Sequence, residues 1–246
     1  MMQIYDVVII GGGIIGSAIA YFLKASPHFQ GDVVVIERDP SYAKSSTPRS
    51  LGGVRQQFSI RENIEIGLFG VDFVKRASQY LSVDNEPIEL GWRELGYLFL
   101  ATPEGQRILA ENQQLQSQCG AKIEILNPEN LKIKFPWLNT DGIALGSFGY
   151  EGEGWLDPSL LLGAFRAKAR ALGATFLYDE VTEIVKHKQK ISSVTLDSGV
   201  QVGCSFLVNA AGAWAGAVAA LAKIQLPVVP KKRVIYGLDC REELNP

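Results

Sequence analysis

The sequence is poor in the residues that metal sites and hydrolytic triads need. Its 246 residues include two histidines and three cysteines, and no CxxC or HExxH pattern. Cys119, Cys204 and Cys240 lie far apart and are odd in number, so we interpret them as small buried apolar residues. We therefore expect no metal site and no Ser-His-Asp triad, and a bound cofactor has to supply most of the chemistry.

The sequence also lacks a charge excess and a long apolar segment. Lys plus Arg number 24 and Asp plus Glu number 26, a net charge of -2 that argues against a nucleic-acid partner. The mostly apolar stretch 7–23 contains three consecutive glycines, follows an aspartate and is shorter than the roughly 20 residues that span a bilayer. We expect a cytoplasmic protein without a membrane span that acts on a small molecule.

What the sequence does contain, at residues 5–37, is the pattern of a dinucleotide-binding βαβ unit. A β-branched strand at 7–10 leads into a GxGxxG pattern formed by Gly11, Gly13 and Gly16. In this pattern the first glycine permits the tight turn, the second lets a pyrophosphate approach the backbone, and the third lets the helix pack close to the strand.

The helix and the second strand of this unit complete the expected nucleotide site. The helix from about Ile14 to Lys24 points the free N–H groups of its first turn, which includes Ile15, at the phosphates. The strand 33–36 ends at Glu37, whose carboxylate can accept both hydroxyl protons of an adenosine ribose and would repel a phosphate on it.

The rest of the chain predicts alternating helices and strands. The polar stretch 41–58 predicts a loop, and apolar spacing predicts a helix from about Arg61 to Tyr80. Asp157 is a good N-cap and Pro158 a good first residue for a helix that runs to Ala171. The other predicted elements are paired strands within 88–101, a helix from 102–104 to 118, an antiparallel ribbon at 181–185, 191–196 and 200–203, a buried strand and helix within 206–222, and a new strand from 227.

Five motifs, in order, resemble the FAD-dependent oxidoreductase superfamily of D-amino-acid oxidase, sarcosine oxidase and glycine oxidase. They are VVIIGGGIIGSAIAYFL, VVVIERD, SLGGVRQQF, GWLDPSLLLGAFRAKARALGA and VNAAGAWA. SLGGVRQQF is similar to the dimethylglycine and sarcosine dehydrogenase branch. In that superfamily a further C-terminal part completes the substrate domain and the sheet; we expect that this sequence lacks it, so that the chain is a fragment or a partner chain completes the fold.

The resemblance implies an α/β fold: a Rossmann-like FAD-binding domain with a parallel sheet and a small antiparallel ribbon, plus a partial α+β substrate domain. The implied domains are 1–84 with 151–224 for FAD and 85–150 with 225–246 for the substrate. Arg55 is the candidate catalytic residue, beside the flavin ring, where a cation can also attract a substrate carboxylate. The implied cofactor-binding residues are Gly11, Gly13, Ile14, Ile15, Gly16, Glu37, Arg38, Ser45, Ser46, Thr47, Gly52, Gly53, Val181, Ala211 and Gly212.

The implied function is oxidation of a carbon-nitrogen bond of a small amine or amino acid, by hydride transfer to flavin N5, with oxygen or an electron-acceptor protein reoxidising the flavin. The sarcosine-oxidase pattern has a second arginine three residues after the first, whereas this chain has Phe58, with Arg61 as a loose substitute. Two alternatives stay open: a truncated or partner-dependent flavoprotein without independent catalysis, and an NAD-dependent dehydrogenase that uses the same βαβ unit.

Overall fold

The computed structural model describes residues 2–236 and 239, which form two compact units. Unit 1 consists of residues 2–50, 81–88 and 158–233, and unit 2 consists of residues 51–80, 89–157 and the described residues from 234 onwards. These units divide the chain at other points than the domains implied by the sequence, since residues 51–80 cluster with unit 2.

The part of the chain that the structure describes contains eleven strands and seven α-helices. The strands are β1 Gln3–Ile10, β2 Val33–Glu37, β3 Gly53–Val54, β4 Tyr97–Ala101, β5 Lys122–Leu126, β6 Leu145–Glu151, β7 Gly154–Trp155, β8 Thr175–Tyr178, β9 Val181–His187, β10 Lys190–Leu196 and β11 Gln201–Asn209. The helices are α1 Ile14–Ala25, α2 Arg61–Lys75, α3 Ala77–Leu81, α4 Gln106–Gln118, α5 Pro128–Lys134, α6 Pro158–Ala171 and α7 Ala215–Leu221, preceded by a 3₁₀ turn at Gly212–Trp214.

Unit 1 is built on a six-stranded sheet with the order β8-β2-β1-β11-β10-β9. The first four strands are parallel neighbours, and β9 and β10 continue the sheet as an antiparallel ribbon. Val8, Ile9 and Val34 are fully buried in this sheet, as expected for parallel strands covered on both faces. The predicted α/β fold with a parallel sheet and an antiparallel ribbon is confirmed.

One long strand replaces two predicted ones. The sequence predicts a ribbon strand at 200–203 and a separate buried strand near 206, whereas β11 runs without a break from Gln201 to Asn209. Its first residues pair with β10 and its whole length pairs in parallel with β1, up to the register pair Ile10 and Asn209. As a result, the small residues after Asn209 reach the same sheet edge as the glycine turn after Ile10.

Unit 2 contains a three-stranded antiparallel sheet in the order β4-β6-β5 and a two-residue ribbon of β3 and β7. The predicted helix 61–80 is broken at Arg76, whose φ of -108° leaves the helical region, although the apolar spacing continues across it. The predicted strand pair within 88–101 is wrong: β4 is the strand there, because Gly91 and Gly96 have φ of +64° and +80°.

The stretch 227–236 contains no strand, which corrects the prediction of a new strand from 227. Pro227 and Pro230 have no amide hydrogen to donate to a sheet. The rest of that predicted segment, at 237 and 238, lies outside the described residues, as does Cys240. Within the described chain Cys204 is buried and Cys119 is partly buried, and both are free thiols.

Two kinds of feature are absent from the described part of the chain: a membrane-spanning helix and a cluster of metal-binding side chains. No helix there combines the length and apolar character that crossing a bilayer requires. No group of three or more His, Cys, Asp or Glu side chains comes close enough together there to hold a metal ion.

Candidate cofactor-binding site

The glycine turn after β1 lies at the carboxyl edge of the sheet in unit 1. Gly11 has a φ of +102°, and a Cβ atom on it would come within 2.5 Å of the Ala210 carbonyl oxygen. The Gly11 N–H donates to the Ile36 carbonyl at 2.9 Å. Gly16 is equally constrained, since its Cβ would lie 1.9 Å from the Gly11 oxygen. The turn therefore needs glycine at both positions, and it joins the ends of three parallel strands.

The first turn of α1 faces two hydroxyl groups from the loop that follows β2. Gly13 is the N-cap residue and provides no side-chain cap, while the Ile14 N–H donates to Thr47 Oγ1 at 3.2 Å. Ser45 Oγ and Thr47 Oγ1 lie 3.6 and 3.5 Å from the position that a Gly13 Cβ would occupy. Main-chain N–H groups and hydroxyls at a helix N-terminus suit an anionic group such as a diphosphate.

Glu37 closes the second wall of the crevice at the end of β2. Its Oε2 atom accepts the Gly12 N–H at 2.7 Å, and its Oε1 atom accepts the Asp39 N–H at 2.9 Å. An ionised carboxylate has about four acceptor positions, so about two stay open for further donors. The carboxylate is thus held in place by the main chain and can still accept the hydroxyls of a ribose.

The loop from Asp39 to Thr47 is folded by its own hydrogen bonds. The Asp39 carboxylate accepts from the Ser41 hydroxyl and main chain, which lowers the pKa of Asp39. Tyr42 adopts a left-handed φ of +56° and is 5% exposed. Burial raises the pKa of Tyr42 to about 12, so the phenol stays neutral. This order in the loop fixes the hydroxyls that face α1.

Arg38 connects three separate segments at the rim of the same crevice. Its Nη1 atom lies 3.1 Å from Glu180 Oε1, and its guanidinium carbon lies 4.2 Å from the centre of the Trp214 ring. Sequence reasoning predicted Arg38 here but missed Glu180, Trp214 and also Tyr42. No local pattern identifies them, because their contacts join segments far apart in the chain.

The crevice encloses a cavity of about 240 Å³ in unit 1. Gly16 does not line this cavity, and its role is the packing of α1 against the glycine turn. Gly52, Gly53 and Arg55 belong to unit 2. The other predicted cofactor residues all line it: Gly11, Gly13, Ile14, Ile15, Glu37, Arg38, Ser45, Ser46, Thr47, Val181, Ala211 and Gly212.

In unit 2, Arg55 lines a shallow open cavity together with Gly53 and residues of α2. Its guanidinium carbon lies 5.3, 5.5 and 5.6 Å from the ring centres of Phe58, Tyr97 and Phe99. The described residues offer it no ion pair. Phe58, which stands where the sarcosine-oxidase pattern has a second arginine, thus provides a ring for the first, while Arg61 is exposed and pairs with Glu65 at 3.6 Å.

Glu153 is the functional candidate that sequence reasoning missed altogether. It is fully buried in unit 2, and its Oε1 atom accepts the main-chain N–H groups of Gln56 and Gln57. Its Oε2 atom accepts from Gln57 Nε2 at 2.7 Å. Burial raises the pKa of Glu153, while these hydrogen bonds and the nearby Arg55 charge oppose the shift. The only sequence signal is an acidic residue between two glycines at 152–154.

This combination of a βαβ crevice, a carboxylate held at the end of the second strand and a second unit built on an antiparallel sheet is typical of a flavoprotein-like oxidoreductase class. A family model described as "FAD dependent oxidoreductase" matches residues 6–245. The chain belongs to this FAD-dependent oxidoreductase family, which confirms FAD as the cofactor at the level of the family.

The relatives agree with this membership. The chain is 43% identical to "FAD-dependent oxidoreductase domain-containing protein 1" of Xenopus laevis, over 96% of this chain and 54% of the relative, and 41% identical to its Bos taurus counterpart. It is 28% identical to human mitochondrial dimethylglycine dehydrogenase, over 92% of this chain and 25% of that protein. The chain thus spans about half the length of the Xenopus laevis and Bos taurus relatives.

Solved structures share the fold. L-proline dehydrogenase from P. horikoshii matches with a TM-score of 0.78 and 29% identity, over 91% of this chain and 57% of that chain. Glycine oxidase from Geobacillus kaustophilus matches with a TM-score of 0.75 and 23% identity, over 92% of this chain and 60% of that chain. The family is therefore related to amino-acid and amine oxidases.

Proposed function

We propose that this protein oxidises the carbon-nitrogen bond of a small amine or amino acid with FAD. The observation that carries the proposal is the convergence of the Gly11 turn, the uncapped start of α1 and the Glu37 carboxylate on one cavity. Relatives named for dimethylglycine and for proline support the substrate class. Oxygen or an electron-acceptor protein is the proposed electron acceptor, and the cytoplasm is the proposed location.

The residues of unit 1 fit the ADP part of FAD. The N–H groups of the first turn of α1 and the hydroxyls of Ser45 and Thr47 would bind the diphosphate, and Gly13 leaves room for it. The open acceptor positions of Glu37 would bind the ribose hydroxyls. Val181 would contact the adenine, as the family resemblance implies. When bound, FAD supplies the acceptor for the hydride that leaves the substrate carbon.

The residues of unit 2 are proposed to act on the substrate. Gly52 and Gly53 would pass near the flavin ring, and Arg55 would bind the carboxylate of an amino-acid substrate. The guanidinium is planar and presents a fork of donors that suits a carboxylate, and the three neighbouring rings restrict its orientation. The rings of Phe58, Tyr97 and Phe99 would also exclude water from around the bound amine.

A second candidate is a flavoprotein that binds FAD without independent catalysis. The observation that favours it is an exposed apolar side chain on the sheet of unit 1. Phe206 lies on β11, between β1 and β10 in this sheet, and is 70% exposed, which suits a further segment or a partner chain against this face. In this case the ADP crevice works as described, while turnover needs the additional polypeptide.

Thermal unfolding with added nucleotides separates these functions. We expect FAD at 100 times its dissociation constant to stabilise the fold by about 2.7 kcal/mol, and NAD to give no comparable shift. An upward shift with NAD but not with FAD would contradict the proposal. The FAD-loaded protein is then mixed, in the absence of oxygen, with N-methylated amino acids or with proline. Reduction of the flavin is followed as bleaching of its visible absorbance. Binding without bleaching supports the second candidate.

A further inference from the structure

The described part of unit 2 contains one fully buried carboxyl group, Glu153, that the proposed chemistry does not use. Its exposure is 0%, and no Lys, Arg or His of the described chain forms an ion pair with it. Burying a carboxyl group without a cationic partner is costly, and the protein compensates the cost with three hydrogen bonds. Such a group persists where its hydrogen bonds fix a conformation that the protein needs.

The hydrogen bonds of the Glu153 carboxyl group all end on the two residues that follow Arg55. The N–H groups of Gln56 and Gln57 both point at Oε1, so the carboxyl group holds the main chain directly after Arg55. Gly67 of α2 packs on the other side, where a Cβ would come within 2.6 Å of the Arg55 carbonyl oxygen. The backbone of Arg55 is therefore confined between a buried carboxyl group and a helix.

The amide side chains of Gln56 and Gln57 extend this hydrogen-bond network to the sheet of unit 2. Gln57 Nε2 also donates to the Tyr97 carbonyl at 2.8 Å, and Gln57 Oε1 accepts from the Ser147 hydroxyl at 2.7 Å. Gln56 Nε2 donates to the Gly152 carbonyl at 3.1 Å. Because Tyr97 is one of the rings beneath the Arg55 guanidinium, one network sets both the backbone of Arg55 and the surface on which its side chain rests.

The sheet leaves the space that this carboxyl group requires. A Cβ on Gly149 of β6 would lie 2.0 Å from Glu153 Oε2, so a larger residue would push the carboxyl group out of its place. Tyr97 is the register partner of Gly149. The glycine therefore brings the carboxyl group and the ring strand close together.

We propose that Glu153 is a positioning residue for Arg55: its buried carboxyl group fixes the Arg55–Gln57 backbone so that the guanidinium is held on the rings and presented to a substrate carboxylate. This inference rests on the proposed function of Arg55. It adds to that function a group that never touches the substrate and still sets its affinity.

The test uses the full chain with ¹⁵N-labelled arginine and ¹³C-labelled glutamate in NMR. In the native protein, we expect the Arg55 Nε–H signal and the Glu153 carboxyl signal to shift with the same pH midpoint, above the usual range of a glutamate. The Arg55→Lys variant assigns the arginine signal. If the Arg55 signal does not follow the pH midpoint of the Glu153 signal, the proposal is overturned, whatever happens to the variants.

Sodium acetate serves as the carboxylate probe, and the Arg55 signal reports its binding. In Glu153→Gln, which keeps the size but alters the donors and acceptors, we expect the acetate dissociation constant to rise about five- to tenfold and the pH response of Arg55 to disappear. Gly149→Ala, which keeps the charge and displaces the carboxyl group, should raise the constant similarly. Glu124→Gln, which removes a carboxylate paired with Lys134 in the same unit, is the matched control and should change nothing.

Two results in Glu153→Gln would contradict the proposal. An unchanged acetate affinity would show that Glu153 has no effect on Arg55, and a higher affinity would show that Glu153 acts only through its charge. The dissociation constant for FAD should stay within about twofold in all variants, because the ADP crevice lies in unit 1. Loss of FAD binding in the native chain would refute the proposed function, while the response of the Arg55 signal to the titration of Glu153 would still decide the positioning role.

Discussion

The cavities described in unit 1 and unit 2 are lined by different kinds of groups. In unit 1 the glycine turn and the first turn of α1 present main-chain groups to the crevice, beside a carboxylate held by two N–H groups. The cavity of unit 2 depends on side chains, with an arginine on three rings and a buried glutamate behind it. A main-chain site is fixed by backbone geometry, whereas a side-chain site depends on packing around it.

This difference has a consequence for specificity. Main-chain N–H groups and glycines bind a diphosphate regardless of what is attached to it, so the first cavity suits a cofactor common to many enzymes. A cation on a platform of side chains can be altered by single substitutions, which suits the part that selects a substrate. Substitutions in the two units can test this contrast between a main-chain site and a side-chain site, and the largest effect on stability and binding is expected at Gly11.

Gly11→Ala should damage unit 1 most. The left-handed φ of +102° and the 2.5 Å approach to Ala210 together are expected to lower the free energy of unfolding by about 2–5 kcal/mol and to abolish FAD binding. Urea denaturation followed by circular dichroism and a titration with FAD measure both effects.

Gly163→Ala is the matched control for this substitution. Gly163 lies within α6, and a Cβ there meets nothing within 4 Å, so the helix should gain up to about 1 kcal/mol. FAD binding should be unchanged. If Gly11→Ala still binds FAD with native affinity, the crevice does not depend on its main-chain geometry.

Glu37→Gln should reduce nucleotide affinity without unfolding unit 1. The neutral amide loses the charge-assisted hydrogen bonds to the ribose, and we expect the dissociation constant for ADP to rise about tenfold. A 2′-phosphorylated ADP should bind relatively better, because the repelling charge is gone. Isothermal titration calorimetry with both nucleotides checks this prediction, with Glu183→Gln on the exposed side of β9 as the control. Equal discrimination in both variants would contradict a ribose-binding role.

The success of sequence reasoning follows the same division. Residues 5–37 predict strand, turn, helix and acid correctly because each element carries a local signal, namely β-branched runs for the strands and the glycine spacing for the turn. The bond between Gln56 and Glu153 joins residues 97 positions apart, and no spacing or periodicity predicts it. The same holds for the meeting of Arg38, Glu180 and Trp214.

Two errors of prediction have a shared cause. The stretch 88–101 has the apolar content of a strand pair, but Gly91 and Gly96 turn the chain away from an extended path. The helix expected over 61–80 is interrupted at Arg76, although its apolar spacing continues. In both places the apolar pattern of the sequence indicates which side chains are buried. The path of the backbone is set by single residues, the glycines in the first stretch and Arg76 in the second.

The pH dependence of stability should distinguish the buried carboxyl group of unit 2. Because the pKa of Glu153 is raised, the folded protein holds a proton that the unfolded chain has released between the two pKa values. Its contribution is present below the unfolded pKa and is lost as the pH rises through the folded one. One proton changes the slope by at most about 1.4 kcal/mol per pH unit.

Urea denaturation of the native protein and of Glu153→Gln, repeated between about pH 4 and about pH 8, measures this slope. The free energy of the native protein should fall relative to that of the variant as the pH rises. Asp39, Glu94 and Asp179, whose pKa values are lowered, act in the opposite direction, but they contribute equally to both proteins. A difference that is constant with pH would mean that Glu153 keeps an ordinary pKa.

The smallest expected effect concerns the Arg38 contacts at the rim of unit 1. A double-mutant cycle of Arg38→Met and Trp214→Leu should give a coupling of about 0.5–1 kcal/mol in the free energy of unfolding. The cycle with Glu180→Gln should give less, about 0.2–0.5 kcal/mol, because the Glu180 side chain is 54% exposed. Added salt should reduce the Glu180 coupling first, since exposed ion pairs are screened most. A larger coupling to Glu180 than to Trp214 would reverse this order and make charge, not ring contact, the main link across the rim.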